Sequence, residues 1–174
     1  LTDRGGLKSA PRSIKRVVPE SWAALMSASR MLRDKPHDHK AVVLDTVFKA
    51  ESMLVKHLCE KDGKTSLRTV GGGYGAGYEQ MAAEINQLVD IFFTLNERGI
   101  HTIVISQIEH KTVKDASLDD YEKTALALAK QTSIVWIAAA DVNMFVQPEM
   151  KERERIESKD KEDRVKVDFT GRAI

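Results

Sequence analysis

Asp45 closes the apolar run Val42-Val43-Leu44 and is followed at once by Thr46. A carboxylate at the end of a short apolar strand is placed to hold Mg²⁺ through water beside a nucleoside triphosphate. Magnesium keeps several of its waters and takes one or two carboxylates together with phosphate oxygens. Thr46, next to it, joins Asp45 as a nucleotide-binding candidate. An aspartate at such a position also caps a following helix, and the short string leaves both readings open. Gln107 ends a second run, Thr102-Ile103-Val104-Ile105-Ser106-Gln107, with Ile108-Glu109-His110 beyond it. An amide beside Asp45 can contact a γ-phosphate, or the water attacking it, and report hydrolysis to the next loop. The plainer alternative is that Gln107 satisfies backbone groups at the strand end. Asp45 and His110 also offer an unrelated option, acid–base work on a small molecule at the sheet edge, which needs the two within hydrogen-bond reach.

A second group of residues suits a polyanion. Lys64, Arg68, Tyr74 and Tyr78 lie in or beside a glycine-rich stretch, and Lys111 and Lys114 lie in the stretch after Gln107. Single-strand binding uses cations for the phosphates and aromatic rings for base stacking. Against this stands a solvated surface loop whose tyrosines pack locally. The remaining candidates carry less. His37 and His39 sit in a polar linker and read as solvent-exposed, not as metal ligands. His57 reads as surface and His101 as structural. Cys59 reads as a small buried hydrophobe, and Trp22 and Trp136 as core or interface residues.

The elements that must carry these residues follow from periodicity and caps. Pro19-Glu20-Ser21 opens a helix through Trp22, Leu25, Met26, Ser29 and Leu32, which Pro36 closes. Ala41–Thr46 reads as a strand buried on both faces, and a helix follows through Phe48, Met53, Leu54 and Leu58. Residues 60–77 form a loop with five glycines in its last seven positions, so its backbone is expected to move freely. A long helix then shows Met81, Ile85, Leu88, Val89, Phe92 and Leu95 on one face, with Gly99 past its end. Thr102–Gln107 is a second buried strand. A helix is expected from about Leu118 to Trp136, a third strand at Val142–Val146, and an edge strand at Arg164–Phe169. The last two pair as a hairpin with a long charged tip. Alternating strands and helices imply an α/β fold with a mostly parallel sheet flanked by helices, ending in an antiparallel hairpin, all within one domain of residues 1–174.

Composition narrows the classes. The chain of 174 residues is 42% hydrophobic and 30% charged with a net charge of +1, an ordinary globular balance with no global basic surplus. One cysteine excludes an intramolecular disulfide and a thiolate cluster, which fits a reducing, cytoplasmic setting. No apolar run approaches the roughly 20 residues of a membrane span, so no membrane partner is expected.

The string Thr102–Ile108 resembles the RecA-family strand that ends in Asn-Gln-Ile, with Ser106 in place of the asparagine. The layout from Ala41 to about Val146, two-thirds of the chain, is similar to phage-encoded RecA-like P-loop proteins, including single-strand-annealing ATPases. Those share a Walker B strand, a loop with glycine and tyrosine, a long helix, a strand ending near a histidine (here His110) and an acidic-Tyr segment like Asp119-Asp120-Tyr121. The resemblance implies a RecA-like P-loop NTPase core that uses ATP and Mg²⁺ on single-stranded DNA in phage recombination or repair, in the cytoplasm of a bacterial host. It also implies a homo-oligomeric ring or filament, because such ATPases commonly place nucleotide between subunits. Asp45 would then position Mg²⁺, Gln107 would sense the γ-phosphate, and the segments bearing Lys64 to Tyr78 and Lys111 to Lys114 would line the DNA path. The sequence departs from the family in one respect. No G-x-x-x-x-G-K-[ST] occurs in the 174 residues, and Gly71–Gly77 follows the Walker B strand and lacks the Lys and Ser/Thr. The abrupt start at Leu1 is read as that of a fragment, with the phosphate loop expected upstream. The alternative is an interaction or nucleic-acid-binding module that keeps the sheet without hydrolysing nucleotide.

Overall fold

The computed structural model describes residues 13–113, 121–146, 148–151 and 168–173. They belong to two compact units, one within 1–139 and one within 140–174. In the first unit, helix α1 (Trp22–Asp34) starts where Ser21 turns extended and its hydroxyl accepts the Ala24 N–H at 3.2 Å. That is the N-cap the sequence announces. Trp22, Leu25 and Met26 face inward and are buried, and the Trp22 indole N–H donates to Glu84 at 3.0 Å. Strand β1 (Ala41–Asp45) alternates exposed, buried and half-buried positions, with Val42 and Leu44 facing the core. Thr46 is the N-cap of helix α2 (Val47–Lys61), whose Val47, Ala50, Leu54 and Leu58 are buried.

Helix α3 (Ala76–Glu97) is the centre of the unit, with Met81, Ile85, Leu88 and Leu95 fully out of solvent at spacings of four, three and seven residues. It ends in a Schellman arrangement. Gly99 adopts φ +76°, its N–H donates to the Asn96 carbonyl at 2.8 Å, and the Ile100 N–H reaches the Leu95 carbonyl at 3.0 Å. A left-handed residue is required at that position, and glycine takes it without a Cβ clash. Strand β2 (His101–Ile105) follows directly and pairs in parallel with β1, from Ala41 opposite His101 to Asp45 opposite Ile105. This is the crossover that the strand–helix–strand pattern predicts.

Several expectations are corrected. The mostly parallel sheet is, among the described residues, one parallel pair and two antiparallel hairpins. Strand β2 was expected to be buried, yet Ile103 is 49% and Ile105 41% exposed. These residues lie on the sheet face opposite Val42 and Leu44, and among the described residues only β1 pairs with β2, so there one face and one edge lack cover. The segment after Gln107 is not a loop leading to a helix at Leu118. It forms an antiparallel hairpin of β3 (Ile108–Val113) and β4 (Tyr121–Leu126), with helix α4 only at Lys130–Ala139. Six cross-strand residue pairs give the Tyr121–Leu126 backbone a ladder that the aspartates before it, read as a helix start, do not reveal. In the second unit, Val142–Val146 is exposed and irregular instead of a third strand. The expected terminal hairpin forms further along the chain, between β5 (Pro148–Lys151) and β6 (Asp168–Ala173). Residues 164–167 of the predicted edge strand lie outside the described residues. No helix among the described residues is long and apolar enough to cross a membrane.

Candidate functional site

The parallel register ends β1 and β2 at the same edge, with Asp45, the last residue of β1, opposite Ile105, the last of β2. The strand expected to reach Gln107 stops two residues short of it, and Gln107 lies between β2 and β3. Asp45 is half-buried and Gln107 exposed. In open α/β sheets this carboxyl edge is where ligands bind. The Thr46 hydroxyl accepts the Lys49 N–H at 3.4 Å, so Thr46, not Asp45, caps α2. This answers the question the sequence left open and leaves Asp45 without the capping role.

The Gln107 main chain has a second duty. Its carbonyl accepts the Ala127 N–H at 2.9 Å and the Ser106 hydroxyl at 3.0 Å. The first of these bonds closes the base of the β3–β4 hairpin. His110, three residues on, is exposed within β3 and its Nδ1 lies 3.3 Å from the Thr124 hydroxyl across the ladder. Among the described residues no hydrogen bond or ion pair joins His110 to Asp45, so the acid–base pairing does not find its contact. Lys111 is exposed in the same strand and ion-pairs with Glu109 at 2.7 Å. Lys114 lies outside the described residues.

The glycine-rich segment is partly regular. It holds a kinked 3-10 turn, Leu67–Gly72, whose Leu67 and Val70 are buried against α3. Asp62 accepts the Gly71 N–H at 3.0 Å. At Gly77 a Cβ would lie 2.2 Å from the Leu67 carbonyl oxygen, so glycine is what lets the turn approach the helix this closely. Gly71, Gly72, Gly73 and Gly75 take positive φ. Lys64 and Arg68 are exposed around this turn. Tyr74 is fully exposed at φ +51°, a backbone conformation uncommon for a residue with a side chain, whereas Tyr78 packs partly against the core. The two tyrosines therefore differ: Tyr74 offers a free ring and Tyr78 a half-buried one.

Glu51 is the residue that sequence reasoning missed. From α2 its carboxylate accepts the Ala129 N–H at 2.9 Å and the hydroxyl of the fully buried Thr132. Helix α4 has Ala127-Leu128-Ala129 before it and so no side chain of its own to cap its first N–H groups. That missing cap was the available signal. His37 and His39 were expected to be solvent-exposed; they are half-buried with ring centroids 4.9 Å apart, and the His37 Nε2 lies 2.8 Å from the Leu32 carbonyl. A groove of ≈ 190 Å³ between α1 and α3 is lined by Met26, Arg30, Arg33, Gln87, Asp90 and Ile91, none of them a candidate residue. At its rim Arg33 donates to Asp34 at 2.6 and 3.1 Å, which holds the Asp34 carboxyl below its ordinary range.

A family model described as an AAA domain matches residues 1–170. The chain belongs to the AAA domain family. Neither a curated protein nor a solved structure matches it. Membership brings the α/β P-loop fold and a nucleotide-binding ATPase character, with nucleotide and usually Mg²⁺ as the family's ligands. The donor set at the strand ends can be tested against that pair. No cluster of three His, Cys, Asp or Glu residues that could cage a metal exists among the described residues. A single half-buried carboxylate such as Asp45 is compatible with Mg²⁺, because this ion completes its shell with water and phosphate oxygens. No G-x-x-x-x-G-K-[ST] cradle is written in the 174 residues.

Proposed function

We propose that this AAA domain is the core of a RecA-like ATPase of phage type that acts on single-stranded DNA in recombination or repair. The observation that supports the reading is the parallel β1–β2 register, which ends both strands at one edge with Asp45 opposite Ile105, two residues before Gln107. In this reading Asp45 holds Mg²⁺ through water, and the metal bridges phosphate oxygens and neutralises the charge that develops during transfer. The Thr46 hydroxyl fixes the start of α2 and so the backbone that aims Asp45. The Gln107 amide orients the water or the γ-phosphate. Its carbonyl holds the hairpin base, so a change in the amide's position is passed to β3 and β4. Lys64, Arg68 and Tyr74 on the pinned turn, with Tyr78 contributing a ring edge, and Lys111 and Lys114 of the hairpin segment take the DNA strand. His110 sits on the hairpin as a polar neighbour of that path. Nucleotide shared between subunits makes the working form a homo-oligomer, a ring or a filament, in the cytoplasm.

The test is ATP hydrolysis by the native-length protein with and without single-stranded DNA, beside Asp45→Asn. Removing the metal-holding charge is expected to reduce turnover by about 10²-fold or more, the scale of losing one preorganised electrostatic contact. Turnover that rises with DNA and collapses in Asp45→Asn supports the reading. Absence of both nucleotide binding and turnover rejects it in favour of a binding module built on the same sheet.

A further inference from the structure

The β3–β4 hairpin carries an arrangement that antiparallel ribbons ordinarily avoid. Lys111 and Lys123 are direct cross-strand partners. Directly opposed residues share one face with Cβ atoms about 5 Å apart, and like charges so placed destabilise the ribbon. The face offers partial relief only. Glu109, two residues before Lys111, ion-pairs with it at 2.7 Å, and the residue opposite Glu109 is Ala125. Among the described residues, one carboxylate therefore answers two ammonium groups. Lys123 is exposed and forms no ion pair among the described residues. The nearest acid in sequence, Glu122, pairs with Thr112 and points to the opposite face.

We propose that Lys111 and Lys123 form a phosphate-binding pair, and that the phosphodiester backbone of a single-stranded nucleic acid lies across them. This rests on the single-strand-binding reading above and adds to it a residue, Lys123, that no motif marks. It also replaces a basic loop with a ribbon of set geometry. A bare ammonium pair on an exposed ribbon is repulsive without an anion, and a backbone phosphate between the two cations turns the repulsion into two attractive contacts. Both cations are in solvent, where screening acts over about 8 Å at physiological salt, so only contact-range phosphate benefits and the effect depends on salt. The Glu109 carboxylate limits the pair to a net single positive charge, which matches one phosphodiester.

The experiment measures affinity of the full chain for fluorescent oligo(dT) and oligo(U) over a salt series. It compares the unsubstituted chain with Lys123→Ala, Lys123→Glu and a charge-matched control, Lys56→Ala. Lys56 lies on α2 with its own partner, Glu60, at 3.7 Å. Loss of one phosphate contact is expected to lower the slope of log affinity against log salt by about 0.7 in Lys123→Ala, with the control unchanged. The advantage of the unsubstituted chain then shrinks by about 2- to 3-fold between about 50 and about 200 mM salt. Lys123→Glu places an opposite charge against Lys111, so its melting temperature is expected at or above that of the parent while its affinity drops further. The two polymers share the phosphate chemistry and are expected to lose the same slope; the one that the unsubstituted chain prefers identifies the source. An unchanged slope in Lys123→Ala, with binding intact, overturns the pair and leaves the single-strand reading standing. Failure of the unsubstituted chain to bind either polymer overturns both.

Discussion

Gly77→Ala places a methyl group 2.2 Å from the Leu67 carbonyl oxygen and 3.1 Å from the Val70 Cβ. Ordinary contact begins at 3.4 Å, so the methyl arrives more than 1 Å too close, and the main obstacle is backbone that no rotamer change can remove. Helix propensity alone predicts the opposite outcome, because Ala is favoured over Gly inside a helix by about 1 kcal/mol. To admit the methyl, the 3-10 turn has to lift from α3 and expose Leu67 and Val70, which are 8% and 1% accessible. Full burial of such side chains is worth about 1.5–3 kcal/mol each. Losing roughly half of that and gaining at most about 1 kcal/mol of propensity leaves a net loss of about 1–2 kcal/mol, within the range for overpacked sites. The assay is urea unfolding followed by far-ultraviolet circular dichroism, with Ala83→Gly as the counterpart. Ala83 is exposed on the same helix, where the propensity term acts alone and the substitution costs about 1 kcal/mol. Glycine should therefore be preferred at 77 and alanine at 83. A Gly77→Ala protein as stable as its parent refutes the close approach of turn and helix.

Two further substitutions separate structural from binding roles. Tyr74→Asn puts a residue tolerant of positive φ where the ring now sits, so stability should rise by up to about 1 kcal/mol. The same change should weaken single-strand binding by about 1–3 kcal/mol, the value of one stacked base, as read by oligo(dT) titration. Glu51→Ala removes the acceptor for the Ala129 N–H and the buried Thr132 hydroxyl, and should cost about 1–3 kcal/mol in thermal or urea unfolding. In Thr132→Val the Glu51 substitution should cost less, and additive effects in that double-mutant cycle would exclude the coupling.

What the sequence makes legible is what its neighbours in the chain determine. Ser21 and Gly99 mark helix ends because each cap bonds groups within a few residues, whereas Thr46, read as the end of the strand, turns out to cap α2 in place of Asp45. The β1–β2 pairing is legible because a crossover through helices leaves few arrangements for two apolar strands. Beyond Gln107 the deciding contacts are non-local. The Tyr121–Leu126 segment takes its strand form from Ile108–Val113, whereas Asp119-Asp120 before it reads locally as a helix start. Glu51 acts on residues 78 and 81 positions away, so no window of sequence around it shows the contact. Val142–Val146 has strand composition but does not form a strand, and composition alone does not make one. The glycine run was misread for another reason. Freedom of backbone is what permits tight packing at Gly77 and left-handed geometry at Gly71 through Gly75, so glycine content by itself does not distinguish a mobile loop from a pinned one.

The site gains its coherence from where rigid elements begin and end. Helix α2 starts at Val47, with its N-cap Thr46 directly after Asp45, and its 15 residues span about 22 Å before Asp62 clamps the Gly71 N–H. The turn that projects Tyr74 is thus tied through one helix to the carboxylate at the strand end. Midway along, Glu51 ties the same helix to α4. On the neighbouring strand the path is shorter, since the Gln107 carbonyl itself anchors the hairpin that bears Lys111 and Lys123. A closely packed interior transmits a displacement along such elements instead of absorbing it. A nucleotide that shifts Asp45 and Gln107 differently in its two states would therefore move two candidate strand-binding surfaces together. By linkage, a DNA strand that favours one arrangement of those surfaces must favour the corresponding nucleotide state to the same degree in free energy.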